Sequence, residues 1–455
     1  MQRIFSLLVL LMFTLSLSAQ DLRRKGNFGF VPAAMSAEEQ SNPPCGQSGL
    51  SIQQVLPASV SEQMGLRSGD ILMRINDQTV SDMQAIGRVK THLRDGDALT
   101  MLVCRRGKKI TLTGKMMGKA REVHPKADIL YDVVQVGDLT LRAIVSKPKR
   151  AGRFPVIYFI PGYTCVTLDN LQSWHPYRRI LDSLMATEQY VIVRVEKPGM
   201  GDSEGDCMEI GFETELNAFR KGFEHLLTYD FVDQKNVFIF GHSLGGMIAP
   251  IIAAERKDVR GIAVYGTRHE PWFEYLPMTI RQQNPRFGTD YLENERDMRA
   301  MHRIFAMLFL DRKHPQEIAA ADPAYGPLLQ KHFGWDGKAV LIGRHASFLH
   351  EIEDHNMVEA WGTLESKVLL MHGEADIQAL GPDGAQEILR IVNHYHPGQA
   401  SFKLIEGTDH GFIKLGSLDK SYQITGKPEY GQYLQNAFNY EVVDTLLAWL
   451  AGQTL

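Results

Sequence analysis

Ser243 stands in a sequence pattern that is typical of a catalytic nucleophile. It is the central residue of the motif GHSLG at 241–245, which directly follows the apolar run 236–240 and precedes the apolar segment MIAPIIAAE. A strand that ends in G-x-S-x-G and continues as a helix has to turn sharply, and the glycines relieve the crowding at that turn. The N-terminus of the helix then offers its positive end to an oxyanion. The pattern therefore predicts that the Ser243 hydroxyl attacks a carbonyl carbon.

A serine hydroxyl becomes nucleophilic only when a base takes its proton, so a histidine and an acid are needed as well. In proteins with this turn they follow later strands, in the chain order serine, acid, histidine. Asp376 follows the apolar run 368–371, and His410 follows the run 402–405. We predict that His410 is the base and Asp376 the acid. Three other carboxylates stay open as alternatives for the acid: Glu374, Asp409 and Glu270. Four further histidines are expected to be structural: His175, His242, His269 and His372.

The elements that must position these residues are also visible in the sequence. From about residue 125 onward, apolar runs alternate with helical patterns, and several runs stop at glycine-rich turns such as 161–162 and 196–203. Strands that are apolar throughout are buried on both faces, and their alternation with helices predicts a mostly parallel sheet. Residues 127–147 are predicted as an antiparallel hairpin that leads into this sheet.

The motif, the acid and the histidine together resemble the α/β-hydrolase family, over about residues 125–455 of a domain that we place at 121–455. The resemblance implies an oxyanion hole made of two backbone N–H groups. By position these belong to Leu244 and to Tyr163, in the loop PGYT at 161–164. In this fold the loops that carry Cys165 and Cys207 lie side by side, so a disulfide between them is expected. The implied chemistry uses no metal and no organic cofactor.

An insertion at about 268–365 interrupts the sheet pattern and is rich in helical periodicity. Five apolar residues in it share one helical face: Met298, Met301, Phe305, Leu308 and Phe309. One interpretation is a lid whose apolar side lines a substrate pocket. The other is packing onto the body of the hydrolase, which the periodicity favours for most of these side chains.

Residues 21–120 have a different character, with short strand patterns and glycine-rich turns, and a polar linker at 116–126 separates them from the rest. The stretch GLRSGDILMRIND at 65–77, followed by a helical pattern at 81–93 and two strands, resembles a PDZ domain. The resemblance implies a loop whose backbone N–H groups hold the carboxylate of a peptide C-terminus, beside a strand edge that accepts the peptide. That loop is expected at four residues: Gly26, Phe28, Gly29 and Phe30. The insertion at 31–48 departs from the family, and a module that only packs on its neighbour is the alternative.

Residues 1–20 have the pattern of an export signal, with Arg3, an apolar run at 4–17 and small residues near a cleavage point. The run is too short for a spanning helix, and no later segment is long and apolar enough, so stable membrane insertion is not expected. We expect cleavage of this segment and a periplasmic or secreted protein.

Four cysteines fit an oxidising compartment: Cys45, Cys104, Cys165 and Cys207. They contain no C-x-x-C spacing, so a metal site is not expected. The sequence itself allows three pairings. Besides the disulfide between Cys165 and Cys207, a disulfide between Cys45 and Cys104 within the first domain is expected.

The composition is that of an ordinary globular protein: 455 residues, 44% hydrophobic and 22% charged, with a net charge of −4. This excludes a chain that is disordered throughout, and the absence of a basic balance argues against nucleic acid as a partner. The sequence therefore predicts an exported serine hydrolase that cleaves a small ester, with a PDZ-like module that docks a C-terminal peptide or a protein. A serine peptidase or aminopeptidase of the same fold, acting on peptide substrates, is one alternative. A non-catalytic binding or scaffold protein is the other.

Overall fold

The computed structural model describes residues 22–455, so the export signal expected at 1–20 lies outside the described residues. The hydrophobic cores of the described chain fall into two groups. One lies against the first sheet, and the second sheet has a larger core on each of its faces.

The first sheet is antiparallel, has six strands and is covered by short helices. Its strands are β1 (Phe30–Ala34), β2 (Leu50–Val55), β3 (Ile71–Ile75), β4 (Gln78–Thr79), β5 (Ala98–Arg105) and β6 (Lys108–Lys115), in the order β1-β2-β3-β5-β6 with β4 beside β3. The helices are α1 (Ala37–Ser41), α2 (Val60–Gln63) and α3 (Met83–His92). Asp82 caps α3 by accepting the N–H of Ala85. Because β1 lies at the edge of the sheet, its outer side is open to a further strand.

The second sheet is mixed and has eight strands. In chain order they are β7 (Ala127–Val136), β8 (Leu139–Pro148), β9 (Phe154–Ile160), β10 (Val191–Val195), β11 (Val232–His242), β12 (Gly261–Tyr265), β15 (Lys367–Gly373) and β16 (Ala400–Ile405). The spatial order is β16-β15-β12-β11-β9-β10-β8-β7, where the first six are parallel and β8 and β7 are antiparallel to their neighbours. The carboxyl ends of the parallel strands therefore meet at one edge, where ligands bind in open α/β sheets.

Helices cover both faces of this sheet. They are α4 (Pro176–Ala186), α5 (Phe212–Leu226), α6 (Gly245–Ala254), α13 (Asp383–Tyr395), α14 (Leu418–Ile424), α15 (Tyr430–Asn436) and α16 (Glu441–Gln453). Helices α5, α6 and α13 contribute to one core, and α4 and α16 to the other. Burial on both faces explains why β9, with the sequence FPVIYFI, is apolar along almost its whole length.

The insertion between β12 and β15 is mostly helical. It contains α7 (Trp272–Arg286), α8 (Tyr291–Phe305), a π-helical turn (Ala306–Leu310), α9 (Pro315–Ala321), α10 (Tyr325–Phe333), the hairpin β13 (Val340–Leu341) and β14 (Arg344–His345), α11 (Ala346–Ile352) and α12 (Met357–Thr363). The five residues of the predicted apolar face are at most 3% exposed and belong to the large core. Helix α8 packs against α7 and α10 of the insertion itself, and none of the five residues lines the cavity beside Ser243, so a pocket-lining role does not apply to them.

The segment before β1 holds the two parts of the chain together. Arg24 forms ion pairs with Asp169 and Asp202, at 2.7 Å and 2.6 Å, and its side chain is almost fully buried. The Lys25 N–H donates to Asp202 and its ammonium donates to the Gly199 carbonyl. The N-terminal segment is thus attached to the loop 196–203 that follows β10.

Between residues 22 and 455 no helix has both the length and the hydropathy that crossing a bilayer requires.

Candidate active site

Ser243 occupies a strained turn between β11 and α6. Its φ angle is +54°, in the left-handed region that residues other than glycine rarely adopt. A Cβ atom on Gly241 would lie 2.3 Å from the Gly245 carbonyl oxygen, and one on Gly245 would lie 2.2 Å from the carbonyl oxygen of Ile160. Both glycines are therefore required by close backbone approach at the turn that carries the serine.

His410 and Asp376 lie together at the same edge of the sheet. Asp376 follows β15 and is fully buried, and its Oδ2 lies 2.7 Å from Nδ1 of His410. Its other oxygen accepts the N–H groups of Gln378 and Ala379, both at 2.8 Å. Burial alone raises the pKa of Asp376, but the charge and hydrogen bond of His410 and the N–H of Ala379 lower it below its ordinary value. Asp376 is therefore ionised and fixes the imidazole.

The three alternative acids have other partners. Glu374 accepts the N–H of Gly407, Asp409 accepts the Tyr430 hydroxyl, and Glu270 pairs with Arg268. Of these carboxylates and Asp376, only Asp376 is hydrogen-bonded to His410 in the described part of the chain.

Ser243 and His410 line one cavity of about 190 Å³, which we call the Ser243 cavity. Among the described residues no hydrogen bond joins the Ser243 hydroxyl to the His410 ring. Hydrogen bonds of this kind are often long without substrate and tighten when substrate binds. The two side chains thus share a space in which a reacting carbonyl can contact both.

Two free backbone donors lie at the same cavity. Tyr163 and Leu244 line it, and from residue 22 onward neither of their N–H groups donates to a protein acceptor. Leu244 directly precedes α6, so its N–H belongs to the unsatisfied first turn of that helix. The residues expected to form the oxyanion hole are therefore available as donors.

A buried cluster of charges holds the loop that carries Tyr163. Lys197 donates to the Gly162 carbonyl at 2.6 Å, and Arg344 donates to the Tyr163 carbonyl. Both cations pair with Glu215 at 2.8 Å, and all three side chains are at most 1% exposed. Because buried hydrogen bonds from Lys197 and Arg344 hold both carbonyls, the backbone of Tyr163, and with it the N–H, has a fixed direction. Sequence reasoning missed this cluster, whose members lie up to 147 residues apart in the numbering of the chain (from 197 to 344).

His242 connects the two sides of the site, which the sequence interpretation did not foresee. The Gly162 N–H donates to the Tyr177 hydroxyl at 3.0 Å, and that hydroxyl lies 2.6 Å from Nδ1 of His242. Nε2 of His242 lies 2.9 Å from the His410 carbonyl oxygen. Since a carbonyl only accepts, Nε2 must carry the proton and Nδ1 must accept from Tyr177. Burial lowers the pKa of His242 to about 3, so the ring stays neutral. The donor and acceptor roles in this series of hydrogen bonds are therefore fixed.

The structure contains two disulfides, Cys45–Cys104 and Cys165–Cys207. The second one joins the loop after β9 to the loop before α5, as the resemblance implied. Arg344 donates to the Cys207 carbonyl at 2.8 Å, so this bond and the buried charge cluster brace the same loops. In the described residues no cluster of histidine, cysteine, aspartate and glutamate has a geometry for metal.

The insertion supplies the outer wall of the Ser243 cavity through residues that the sequence did not single out. Trp272, Tyr275, Leu276 and Ile342 line it. The Trp272 ring lies 5.5 Å from the Tyr163 ring and 5.8 Å from the Tyr275 ring. The wall is therefore aromatic, while Arg268 and Glu270 add a polar part.

The loop expected to bind a peptide carboxylate is only partly free. The Gly26 N–H donates to the Leu93 carbonyl at 2.9 Å, so in this structure that N–H already has an acceptor. The N–H groups of Phe28 and Gly29 have no acceptor among the described residues. The Phe28 side chain is buried in the first core, and Phe30 begins β1. Two donors therefore precede an open strand edge.

Comparison with known proteins gives two family matches. The model of the alpha/beta hydrolase family matches residues 157–414, and the PDZ domain model matches residues 18–103. Together with the mixed sheet and the β-rich N-terminal part, these matches confirm the fold class expected from the sequence. No curated protein matches the chain.

Several solved structures are similar to it at low identity. Est1E from Butyrivibrio proteoclasticus with ferulic acid has 16% identity and a TM-score of 0.42, over 62% of this chain and 91% of that one. The acylaminoacyl peptidase of Pyrococcus horikoshii has 13% identity and a TM-score of 0.43, over 76% of this chain and 50% of that one. The esterase PF2001 of Pyrococcus furiosus has 12% identity and a TM-score of 0.41, over 70% of this chain and 96% of that one.

Proposed function

The chain belongs to the alpha/beta hydrolase family, and we propose that it is a serine hydrolase that cleaves carboxylic esters through an acyl-enzyme. Ser243 attacks the ester carbonyl, and His410 takes the hydroxyl proton at Nε2. Asp376 holds the proton on Nδ1 and stabilises the imidazolium that forms. His410 then gives its proton to the leaving alcohol. Water, activated by the same imidazole, releases the acid and restores Ser243.

One observation carries this proposal. His410, paired with Asp376 at 2.7 Å, lines the same cavity as a serine held at φ +54° by a glycine-crowded turn. A strained backbone at a cavity is retained where function needs it. The free N–H groups of Tyr163 and Leu244 support the proposal, because a tetrahedral oxyanion needs donors that are already in place.

The Ser243 cavity is small, and its size favours a substrate with a small acyl group over a long peptide. At about 190 Å³ it is somewhat larger than a site of about 150 Å³ that holds benzene, and smaller than the cavities that hold drug-sized ligands. Its size suits the acyl part of a small ester. The serine peptidase or aminopeptidase of the same fold is the second candidate.

A panel of esters and anilides separates these candidates. We expect wild-type protein to hydrolyse p-nitrophenyl acetate and butyrate, and Ser243→Ala to lose at least a thousandfold in kcat. Ser203→Ala is the matched control, since that hydroxyl lies on the loop after β10 and contacts backbone rather than the cavity. Hydrolysis of aminoacyl anilides with no hydrolysis of esters would make the peptidase the better assignment. Activity on neither, with Ser243 unreactive, would favour a binding or scaffold protein.

We also propose that the PDZ domain docks the C-terminus of a peptide or protein. The unpaired N–H groups of Phe28 and Gly29, beside the open edge of β1, support this role. Fluorescent peptides with an apolar last residue should bind the full chain, and amidation of their terminal carboxylate should weaken binding at least tenfold. Equal affinity of the acid and amide forms would contradict a carboxylate site.

Export is the remaining part of the proposal. Two disulfides in one chain fit an oxidising compartment, and they support a periplasmic or secreted location. Expression of the full sequence should yield a mature N-terminus near residue 20 in the periplasmic or culture fraction, as measured by intact-mass spectrometry. An uncleaved chain found with reduced cysteines in the cytoplasm would contradict it.

A further inference from the structure

The Ser243 cavity contains an ion pair that the proposed chemistry does not use. Arg268 donates from Nε to Glu270 Oε2 at 2.9 Å and from Nη2 to the other oxygen. Its Nη1 donates to the Ala379 carbonyl at 2.7 Å. The two side chains are 10% and 17% exposed, and both residues line the cavity. This is a nearly buried pair of charges in the space where the substrate must lie.

The position of the pair is close to the reacting groups. Arg268 is two residues after Gly266, where a Cβ atom would lie 2.9 Å from both Asp376 Oδ2 and His410 Nδ1. Two residues of chain span at most about 7 Å. Ala379, which Arg268 contacts, also donates its N–H to Asp376. Arg268 therefore lies close to His410 along the wall of the cavity.

The pair still has hydrogen-bonding capacity. A guanidinium has five N–H groups, of which three have acceptors here, and a carboxylate has about four lone-pair positions, of which Arg268 occupies two. Burial raises the pKa of Glu270, but the hydrogen bonds and charge of Arg268 lower it below its ordinary value. The pair is thus ionised, carries no net charge, and presents a donor next to an acceptor.

A neutral group with one donor and one acceptor complements such a surface. An amide has an N–H for the carboxylate and a C=O for the guanidinium. A free ammonium would contact Glu270 but would be repelled by Arg268, and an unsubstituted alkyl chain would leave the remaining donor and acceptor positions of the pair without partners. We propose that Arg268 and Glu270 recognise an amide in the acyl part of the substrate, so that the preferred substrates are esters of N-acylated amino acids.

The size and the walls of the cavity agree with this class of substrate. An N-acetylalanyl group has eight non-hydrogen atoms before the ester oxygen, about what a cavity of about 190 Å³ can hold when about 150 Å³ holds benzene. Trp272 and Leu276 provide apolar contacts for its methyl groups. This inference rests on the proposed function, and it deepens it by naming the acyl group.

Three methyl esters test the inference: those of N-acetylalanine, alanine and 2-methylpentanoic acid, the last being the hydrocarbon counterpart of the first. Acid release in a pH-stat gives kcat/KM for each. The N-acetyl ester is intrinsically more reactive than the hydrocarbon ester. The readout is therefore the ratio of kcat/KM for the N-acetylalanine ester to kcat/KM for the 2-methylpentanoate ester, and how a variant changes that ratio. We expect Arg268→Met/Glu270→Leu, which replaces both charges by apolar groups of similar size, to lower this ratio about tenfold or more.

A matched control exists in the same chain. Arg256 and Asp258 form the same i, i+2 bidentate pair, at 2.8 Å and 2.7 Å, outside the cavity. Arg256→Met/Asp258→Leu should leave the ratio unchanged. An unchanged ratio in the Arg268/Glu270 variant would overturn the inference, and so would a wild-type preference for the free amine of alanine methyl ester.

A second measurement needs no variant. N-acetylalaninamide should inhibit the wild-type enzyme at a concentration at least tenfold lower than 2-methylpentanamide, and equal inhibition would contradict the inference. Failure of the proposed function itself gives a different result. In that case the wild type hydrolyses none of the three esters, and Ser243→Ala makes no difference.

Discussion

The imidazole of His242 donates from Nε2 to the backbone carbonyl oxygen of His410, at 2.9 Å. The residue before the nucleophile thus holds the loop of the general base. On its other side the same ring accepts from Tyr177, which in turn accepts from the Gly162 N–H in the oxyanion loop. One neutral histidine therefore connects the backbone of the base to that of the oxyanion hole.

Loss of the Tyr177 hydroxyl should affect catalysis more than binding. In Tyr177→Phe the Gly162 N–H and Nδ1 of His242 are left buried and unpaired, which costs about 1–3 kcal/mol for each group. We expect kcat for p-nitrophenyl butyrate to fall about tenfold with little change in KM, because the loops shift relative to the transition state. Tyr229→Phe is the matched control, since that hydroxyl donates to Asp132 away from the cavity. Equal effects of the two substitutions on kcat would contradict a positioning role.

The pH profile should follow the protonation of His410. Burial lowers the pKa of His410, but the charge and hydrogen bond of Asp376 outweigh burial and raise it above its ordinary value. A base must be neutral, so kcat/KM should rise with pH, with an apparent pKa above about 6.5. Asp376→Asn should move that apparent pKa down and lower kcat by about 10⁴, because its amide favours the wrong imidazole tautomer. A profile that stays the same in Asp376→Asn would exclude Asp376 as the partner of the base.

The two disulfides should have separable effects. Cys165–Cys207 spans 42 residues, and in the chain-entropy model such a bond contributes about 4 kcal/mol to the free energy of unfolding. Because it braces the loops around Tyr163, Cys165→Ser/Cys207→Ser should lower both the melting temperature and kcat. Cys45→Ser/Cys104→Ser should lower the stability of the first domain alone. Full esterase activity of Cys165→Ser/Cys207→Ser, under conditions where it stays folded, would contradict this prediction.

Glu196 should make stability depend on pH. It is buried, accepts the Leu168 N–H at 3.0 Å and the Thr167 hydroxyl, and burial raises its pKa from 4.5 to about 7. The folded state then binds this proton more tightly than the unfolded state, so stability falls as pH rises from about 4.5 to about 7 and is constant above that range. The size of the effect is on the order of 3 kcal/mol.

Chemical denaturation at pH 5 and pH 8 measures this effect. The difference in free energy of unfolding between Glu196→Gln and wild type should increase from the lower pH to the higher. Glu188→Gln, a surface substitution of the same type, is the control. A difference that does not change with pH would show that Glu196 is ionised in the folded protein throughout this range.

The sequence predicted the parts of the site that local context determines. A strand, a G-x-S-x-G turn and a helix specify the backbone of Ser243, and the strand order limits where Asp376 and His410 can follow. The partners that support them could not be predicted in this way. Lys197, Glu215 and Arg344 meet only because the loop after β10, the first turn of α5 and strand β14 converge, and no local pattern in the sequence signals that convergence. Their buried charges lie in stretches that look like ordinary polar loops and helix ends.

Gly26 shows a similar limit in the first domain. Its glycine-rich surroundings suggested a free anion-binding loop, whereas the chain from residue 22 first has to attach to the loop after β10. Arg24 and Lys25 make those contacts, and the Gly26 N–H is used to join the Leu93 carbonyl. The free donors are displaced to Phe28 and Gly29. The interface with a second domain changed which residues of the motif remain available.

The identity of the nucleophile is tested most directly by a fluorophosphonate reagent, which phosphonylates a serine only where an adjacent base activates it. After treatment of the full-length protein, peptide mass spectrometry should find a single adduct on Ser243. Ser243→Ala should carry no adduct, and His410→Gln should react at least a hundredfold more slowly. An adduct on another serine, or labelling of Ser243 at the same rate in His410→Gln, would contradict the catalytic assignment.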